Sequence, residues 1–381
     1  MAYTSTTTVV AVSDMWIYGS MDAWMYGYTP SLTIHSQSLQ SINAAGKMVP
    51  FAGWSMPIQY KDSIIEATNH CRTKASLFDV SHMLGITLKG KNAIDFLQTL
   101  IVGDIKALEN GTGSLSVFTN EHGGIIDDTV VTKVSDEEVY FVVNAGNRDK
   151  DVNHLKKHLA GYKGDVDMTL HTDNAILAFQ GPEAVSVLQQ FVKEDLSKLY
   201  FSMMRRMEID GKPCLVTRTG YTGEDGFELA IPNEHVLGIA EKLTADERVR
   251  LAGLGPRDSL RLEAGLCLYG NDLDDSISPI EAGLTWCISK SRREACDFVG
   301  GDVIKKQLAD GVSRKRVGLL VGKGAPARQH ADIVTADGAK VGEVTSGGFS
   351  PVAQANIAMG YVEKAHSKVG TELKVVVRGK E

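Results

Sequence analysis

Two adjacent carboxylates, Asp127 and Asp128, sit inside the apolar run Gly-Gly-Ile-Ile-Asp-Asp-Thr-Val-Val at 123–131, where a strand is expected. Asp is depleted in strands, and a charge taken out of water is costly unless something compensates it. Side chains alternate along a strand, so the two aspartates point to opposite faces. Strict alternation groups Asp128 with Ile126 and Val130, and Asp127 with Ile125, Thr129 and Val131. Both faces are partly apolar, so at least one carboxylate is held against a non-aqueous wall. Such a group is a candidate for chemistry or for binding a polar ligand. The competing reading is an edge strand with solvated carboxylates.

A second constellation is Arg218-Thr-Gly-Tyr221-Thr-Gly-Glu-Asp-Gly-Phe-Glu228-Leu229. Glycines at 220, 223 and 226 permit a tight turn between two strands. The string lacks the Lys-Ser/Thr ending of a phosphate loop, and no helix follows as a dinucleotide fingerprint requires. Glu228 stands mid-strand on the face opposite Phe227 and Leu229, where a carboxylate suits paired recognition of an amine and N–H edge on a heterocycle. An exposed Glu on a half-solvated sheet fits the local pattern equally well.

The third is Gly253-Leu-Gly-Pro256-Arg257-Asp258-Ser-Leu260-Arg261-Leu-Glu263-Ala264. Pro256 fits the first position of a helix, and Leu260, Ala264, Cys267 and Leu268 form an apolar stripe. Arg257 lies in the first turn, where the helix dipole disfavours a cation, and Arg261 is its like-charged neighbour one turn on. An Arg there calls for an anionic or planar partner, and Asp258 is a local partner for Arg261.

The elements positioning these groups are short. β-like runs at 85–89, 115–119, 125–134, 139–144, 175–180, 207–209, 214–218, 227–231, 317–320 and 373–377 alternate irregularly with helical patterns at 93–101, 149–159, 182–191, 234–243, 256–268 and 301–310. Asn120–Gly124 reads as a hairpin connection. Strands without regular helical crossovers predict an α+β build of mostly antiparallel sheets, and the last 70 or so residues predict a separate small β domain. A chain of 381 residues suggests two or three domains.

Composition excludes several classes. With 43% hydrophobic and 23% charged residues the chain reads as a globular protein. A net charge of −7 argues against a general nucleic-acid binder. No apolar run approaches the ~18 residues that span a bilayer. Five scattered cysteines without a CxxC pair argue against a disulfide framework or a zinc knuckle. The ten histidines are unclustered; His154 and His158 are four apart without a zincin Glu and read as a solvated helix face, so no metal site is expected. Lys290, Arg292 and Arg293 read as a solvated basic loop, or as a patch facing an acidic partner. From Met1 to Gly46 there is no Lys or Arg, so neither a transit peptide nor a secretory signal fits. The aromatic, Met-rich segment Met15–Tyr26 and the rest of residues 1–43 stay unassigned.

Several strings together resemble the T-protein (aminomethyltransferase) family of the glycine cleavage system: Gly46–Pro57, Leu77–Met83, the Asp-Asp strand, Gly220–Glu228, Arg257–Asp272 and Thr345–Pro351. The resemblance runs in order from about residue 44 to the end. It implies a three-domain cloverleaf: a folate-binding domain from 44–86 plus 170–273, a ferredoxin-like domain from 87–169 plus 274–308, and a C-terminal β domain, barrel- or jelly-roll-like, from 309–381. It further implies transfer of a methylene from the aminomethyl-dihydrolipoyl arm of a lipoylated H-protein to tetrahydrofolate, with release of ammonia, in the mitochondrial matrix. Asp128 takes the place of the family's catalytic carboxylate. Glu228 and Arg257 map onto its folate contacts, with Met83, Asn144 and Tyr221 as secondary lining.

The chain departs from the family pattern at three points. It stops at Glu381, where the family continues with one more strand and a substrate-contacting tyrosine, so an open sheet edge is expected. Thr129 stands where Leu is common. Residues 1–43 do not match the family's entry helix. The alternative reading is a folate-binding, non-catalytic or truncated inactive paralogue. The iron–sulfur maintenance relatives carry a reactive cysteine that Gly220–Gly223 lacks, and a flavoenzyme of dimethylglycine or sarcosine would need a flavin-binding unit that is not recognised here.

Overall fold

The structure, a computed structural model, describes residues 8–12 and 46–377. The Met15–Tyr26 segment and the chain end at 378–381 lie outside the described residues.

Two open sheets and a barrel carry the fold. The six-stranded sheet runs in the order Met204–Ile209, Lys212–Thr217, Gly226–Pro232, Asn174–Gln180, Ala75–Asp79, Val249–Leu251. The five-stranded sheet runs Thr112–Thr119, Ile125–Ser135, Glu138–Val143, Leu84–Lys89, Asp167–His171. Among the described residues the one parallel strand pair is Val249–Leu251 beside Ala75–Asp79, so the expected antiparallel α+β build holds.

Each open sheet has one face backed by helices. Leu77, Phe179, Phe227 and Leu229 of the six-stranded sheet pack under Val236, Ile239 and Leu243 of the Asn233–Thr244 helix. Ile86, Val131 and Phe141 of the five-stranded sheet pack under Phe96 and Leu97 of the Ala93–Gln98 helix, and under Val152 and Leu155 of the Arg148–Gly161 helix. Burying one face this way commits the other faces to look at each other. Phe78, Ile176, Ala178 and Ala230 from the first sheet gather with Val142 from the second and with Met83, just before its Leu84–Lys89 strand, in a shared apolar cluster. The interior between the sheets is therefore the natural place for a site.

The barrel closes in the order Thr8–Val12, Arg314–Val321, Ala355–Glu363, Lys340–Ser350, Asp332–Val334, Glu372–Val375. Thr8–Val12 pairs antiparallel with Arg314–Val321 on one side and with Glu372–Val375 on the other. The expected open sheet edge is thus covered, and part of the unassigned N-terminal stretch has a place, because unpaired strand groups are satisfied by any extended segment that reaches them.

Other expectations shift by a few residues. The helix carrying Arg257 spans Leu254–Glu263, not 256–268, with Gly253 as its N-cap. Pro256 therefore stands at the third helical position, still within the turn whose N–H groups lack intrahelical partners. Gly265, at φ +63°, ends the helix in the left-handed conformation, which leaves Cys267 and Leu268 of the expected stripe outside it. Sequence reading passed over the Ile64–Thr73 helix, whose Ser63 and Glu66 form a reciprocal capping box. The basic cluster is the short Lys290–Ala295 helix, in which Arg292 is buried against Asp297 and the carbonyls of Gln98 and Ile101. Arg292 is therefore structural, while Lys290 and Arg293 are exposed as expected.

Candidate functional site

The Asp-Asp strand is central, flanked by Thr112–Thr119 and Glu138–Val143, so the edge-strand reading fails. It turns out of the hairpin at Asn120–Gly124, where Asn120 Oδ1 accepts from the amides of His122 and Gly124 and Gly123 sits at φ +77°. Thr119 pairs with Ile125 and Phe118 with Asp127, leaving Ile126 as a β-bulge. This changes the face assignment. Ile126 packs with Phe118 and Val131 in the helix-backed core, and Ile125 packs with Val117, the cross-strand partner of Asp128. A bulge inserts one residue and re-aims those beside it, which strict alternation cannot anticipate.

Past the bulge the two aspartates part. Asp127 is fully buried. Its oxygens accept from the Asn144 amide at 2.9 Å, Asn144 Nδ2 at 3.0 Å and Asn147 Nδ2 at 2.6 Å. Asp128 is half-buried on the opposite face, the one that also carries Val130 and Thr132. Asn144 Nδ2 ties the pair together, reaching Asp128 Oδ1 at 3.2 Å. Burial, then the neighbouring Asp127 charge, push the Asp128 carboxyl up to about 8, and the hydrogen bond from Asn144 works against them.

Val130, Thr132, Tyr140 and Val142 of the five-stranded sheet face Ile176, Leu215, Thr217, Thr219, Glu228 and Ala230 of the six-stranded one across a cavity. Glu228 lies between Ala178 and Thr217 on neighbouring strands. Phe227 and Leu229 are buried in the opposite core, as the alternation predicts. Burial raises the Glu228 carboxyl, and the nearby Arg257 charge holds it back. Arg257 stacks over Tyr221, 4.7 Å from guanidinium carbon to ring centroid, and makes a long 4.0 Å contact with Met83 Sδ. Its Nη1 is buried with no hydrogen-bond partner. The Tyr221 hydroxyl donates to the Cys267 carbonyl, which sets the ring's position, and Asp128 lies near enough to raise the Tyr221 phenol. Met83, Asp128, Asn144, Tyr221, Glu228 and Arg257 are all half-buried; Glu228 is on the cavity wall, and Arg257, Tyr221 and Asp128 follow from it in a chain of electrostatic neighbours.

Three supports escaped the sequence. Gln180, fully buried, anchors the Gly220–Gly226 loop: its Nε2 donates to the Thr219 and Phe227 carbonyls, and its Oε1 accepts from Thr222 Oγ1. A Cβ at Gly220 would fall 1.8 Å from Gln180 Oε1, which is why glycine stands there. His82, beside Met83, is buried against Phe51 and lowered to about 3 by burial and the charges of Arg257 and Arg148, so it is a neutral wall. Asp151 of the Arg148–Gly161 helix is buried against Asp127. For Gln180 and Asp151 the only signal was a polar residue at an apolar phase of its element. His154 and His158 stack at 4.6 Å, and His154 packs on Phe118, so they are not a solvated face. All five cysteines are free, and no cluster among the described residues could hold a metal. No helix among the described residues is long and apolar enough to cross a membrane.

A cavity with a carboxylate on its wall, and beside it a guanidinium with an unused donor, an aromatic plate and a second carboxylate of raised proton affinity, can bind a flat, polar heterocycle and move a proton beside it. Comparison with known proteins agrees with the expected kinship. The GCVT N-terminal domain family matches residues 39–292, and the glycine cleavage T-protein C-terminal barrel domain family matches residues 314–381. The chain is 57% identical over 341 residues to a mitochondrial aminomethyltransferase of Pisum sativum, covering 88% of this chain and 83% of that protein. It is 48% identical over 339 residues to that of Mus musculus, covering 88% and 84%. The crystal structure of glycine cleavage system aminomethyltransferase T from Bartonella henselae superposes with a TM-score of 0.87 at 39% identity, covering 92% of this chain and 95% of that one.

Proposed function

The chain belongs to the glycine cleavage T-protein family, and from that premise we propose that the hollow between its two open sheets is where a tetrahydrofolate accepts the one-carbon unit. The chain is an aminomethyltransferase of the glycine cleavage system. The donor is the aminomethyl group on the dihydrolipoyl arm of an H-protein. The methylene leaves sulfur and nitrogen and becomes bonded to two nitrogens of the folate. The two protons lost from those nitrogens go to the departing amine, released as ammonia, and to the freed thiolate.

The observation that carries this reading is the environment of Asp128. A carboxylate pushed up to about 8 accepts a proton near neutral pH far better than an ordinary one, and returns it as readily. Asp128 therefore hydrogen-bonds the attacking nitrogen and takes up the proton that the new bond sets free. Asn144 keeps its oxygen in place. Glu228 receives the amine and N–H edge of the pterin, and Arg257 supplies its unused donor to the carbonyl side with Tyr221 and Met83 as lining. The domain division follows the same kinship: 44–86 with 170–273, 87–169 with 274–308, and 309–381. Like the relatives designated mitochondrial, the chain works in the mitochondrion, and we place it in the matrix with the lipoylated H-protein as partner.

Titrating tetrahydrofolate into the purified chain while following thermal unfolding tests the assignment of the hollow. A ligand at a hundredfold excess over its Kd adds about 2.7 kcal/mol to the native state, a rise of several degrees. Arg257→Leu and Glu228→Gln remove most of that rise. No rise at saturating folate supports the inactive-paralogue reading instead.

A further inference from the structure

The chemistry assigned to Asp128 leaves a second buried acid unexplained. Asp151 lies on the Arg148–Gly161 helix, 1% exposed, and neither of its oxygens accepts a hydrogen bond. It faces Asp127, whose charge, after burial, is what most raises its proton affinity. Two carboxylates this close in a dry interior cannot both be charged. Three amide hydrogens already point at Asp127, which is how a carboxylate is held, so the shared proton resides on Asp151. Lys150, the adjacent cation, is drawn away to the Tyr269 hydroxyl at 2.6 Å and to Asp275. The proton on Asp151 is therefore the group that partners Asp127 from the helix side, and burial beside two other carboxylates pushes the Asp151 acid up to about 10.

We propose that Asp151 is a positioning residue, a neutral carboxylic acid whose O–H donates to Asp127 and so sets the charge and orientation of Asp128 through the Asp127–Asn144 link. This rests on Asp128 being the reacting carboxylate. Two links of the relay are hydrogen bonds, Asn144 Nδ2 to Asp127 Oδ1 and Asn144 Nδ2 to Asp128 Oδ1, and the proposed O–H donation from the unpartnered Asp151 acid to Asp127 completes it. A hydrogen bond from Asp151 draws negative charge off Asp127 and weakens its push on Asp128. Without that donor Asp127 presents its full charge, and Asp128 holds its proton to higher pH. The other ionisable groups that feel Asp128 are Asp272, Tyr221 and the thiols of Cys267 and Cys287, and Asp151 also feels its charge directly, after that of Asp127.

Two readouts on the full chain test this. The first is independent of turnover: the infrared band of an un-ionised buried carboxylic acid at pH 7, compared between wild type and Asp151→Asn. A loss in the variant is expected, and an unchanged spectrum overturns the proposal whatever Asp128 does. The second is the pH profile of kcat. Asp151→Asn keeps a neutral donor and is expected within about threefold of wild type with the acid limb in place. Asp151→Leu, or Asp151→Ala should the larger side chain prevent folding, is expected to lose roughly tenfold and to move the acid limb upward. A folded Leu or Ala variant whose limb does not move, or an Asn variant that moves as far as Leu, overturns the proposal. Failure of the Asp128 reading looks different: full activity in Asp128→Asn with the infrared result intact.

Discussion

Arg257 and Arg261 stand one turn apart on the same helix and have opposite fates. Arg261 is 2% exposed, and its donors are taken by Asp258 at 2.7 Å, Asp272 at 2.6 Å, Ser346 at 2.8 Å and the Leu266 carbonyl at 3.1 Å. Asp272 accepts in turn from the Leu268 amide, Ser346 and Thr345. This cluster bolts the helix to the barrel strand Lys340–Ser350. Arg257 has an aromatic plate, a distant sulfur and a donor nitrogen with no partner. Asp127 and Asp128 repeat the contrast on neighbouring positions of one strand, the first with its oxygens supplied by amides, the second with one long hydrogen bond and a raised proton affinity. A buried charge whose hydrogen bonds are complete is scaffold. One left incomplete, at the edge of a hollow, is waiting for a ligand.

The largest effect that would break this contrast lies on the scaffold side. Arg261→Leu strands Asp272 and Asp258 without their cation, and removing one member of a buried pair costs about 3–5 kcal/mol. Chemical denaturation is expected to show that loss even with folate present. Arg257→Leu is expected to leave the unfolding midpoint of the free protein nearly unchanged, because it breaks no close hydrogen bond and Glu228, which loses the nearby charge, can take up a proton, while tetrahydrofolate Kd rises roughly 10- to 100-fold by calorimetric titration. That range is the 1.5–3 kcal/mol of a hydrogen bond to a charged group. Should both variants lose comparable stability, the division into scaffold and site is wrong.

A smaller effect sharpens the Asp pair. The folded-state proton affinity of Asp128 lies above that of an ordinary Asp. Its contribution to stability is therefore full below pH about 4 and is lost as pH rises towards about 8. Asp128→Asn abolishes that slope, so the variant is expected to melt a few degrees above wild type at pH 8 and to converge with it in acid. Equal midpoints at pH 8 would place the Asp128 carboxylate in solvent. The smallest effect is expected at Glu228→Gln, which keeps shape and one acceptor oxygen; it weakens folate binding several-fold without altering the pH limb of kcat.

Much of this was written in local sequence. The Asp pair inside an apolar run, the Asn120–Gly124 turn and the Gly220–Gly226 loop each depend on neighbours within a few positions, and each formed where the residues require it; the Arg257 helix formed too, with its ends shifted. What was illegible depends on partners far along the chain. The bulge at Ile126 is a matter of register against Phe118 and Thr119, and no alternation within one strand reveals it. Asp151 sits in the charged string Arg148-Asp149-Lys150-Asp151, which reads as solvated; only its spacing from Leu155, four residues on and fully buried, hints at the inward face. Gln180 looks like a strand terminus until the glycine loop closes on it. The place of Thr8–Val12 in the barrel follows from edges contributed more than 300 residues away. The site residues were nameable because family strings single them out, but the hydrogen bonds that divide scaffold from site appear only in three dimensions.

The central claim is that the Asp128 carboxylate performs proton chemistry and is not needed to hold the folate. Single-turnover formation of methylenetetrahydrofolate by Asp128→Asn, with lipoylated H-protein carrying its aminomethyl group and folate both saturating, tests it directly. The rate is expected to fall at least about 100-fold, the lower end for loss of a positioned proton acceptor, while folate binding stays within a few-fold of wild type. A rate within a few-fold of wild type would contradict the account.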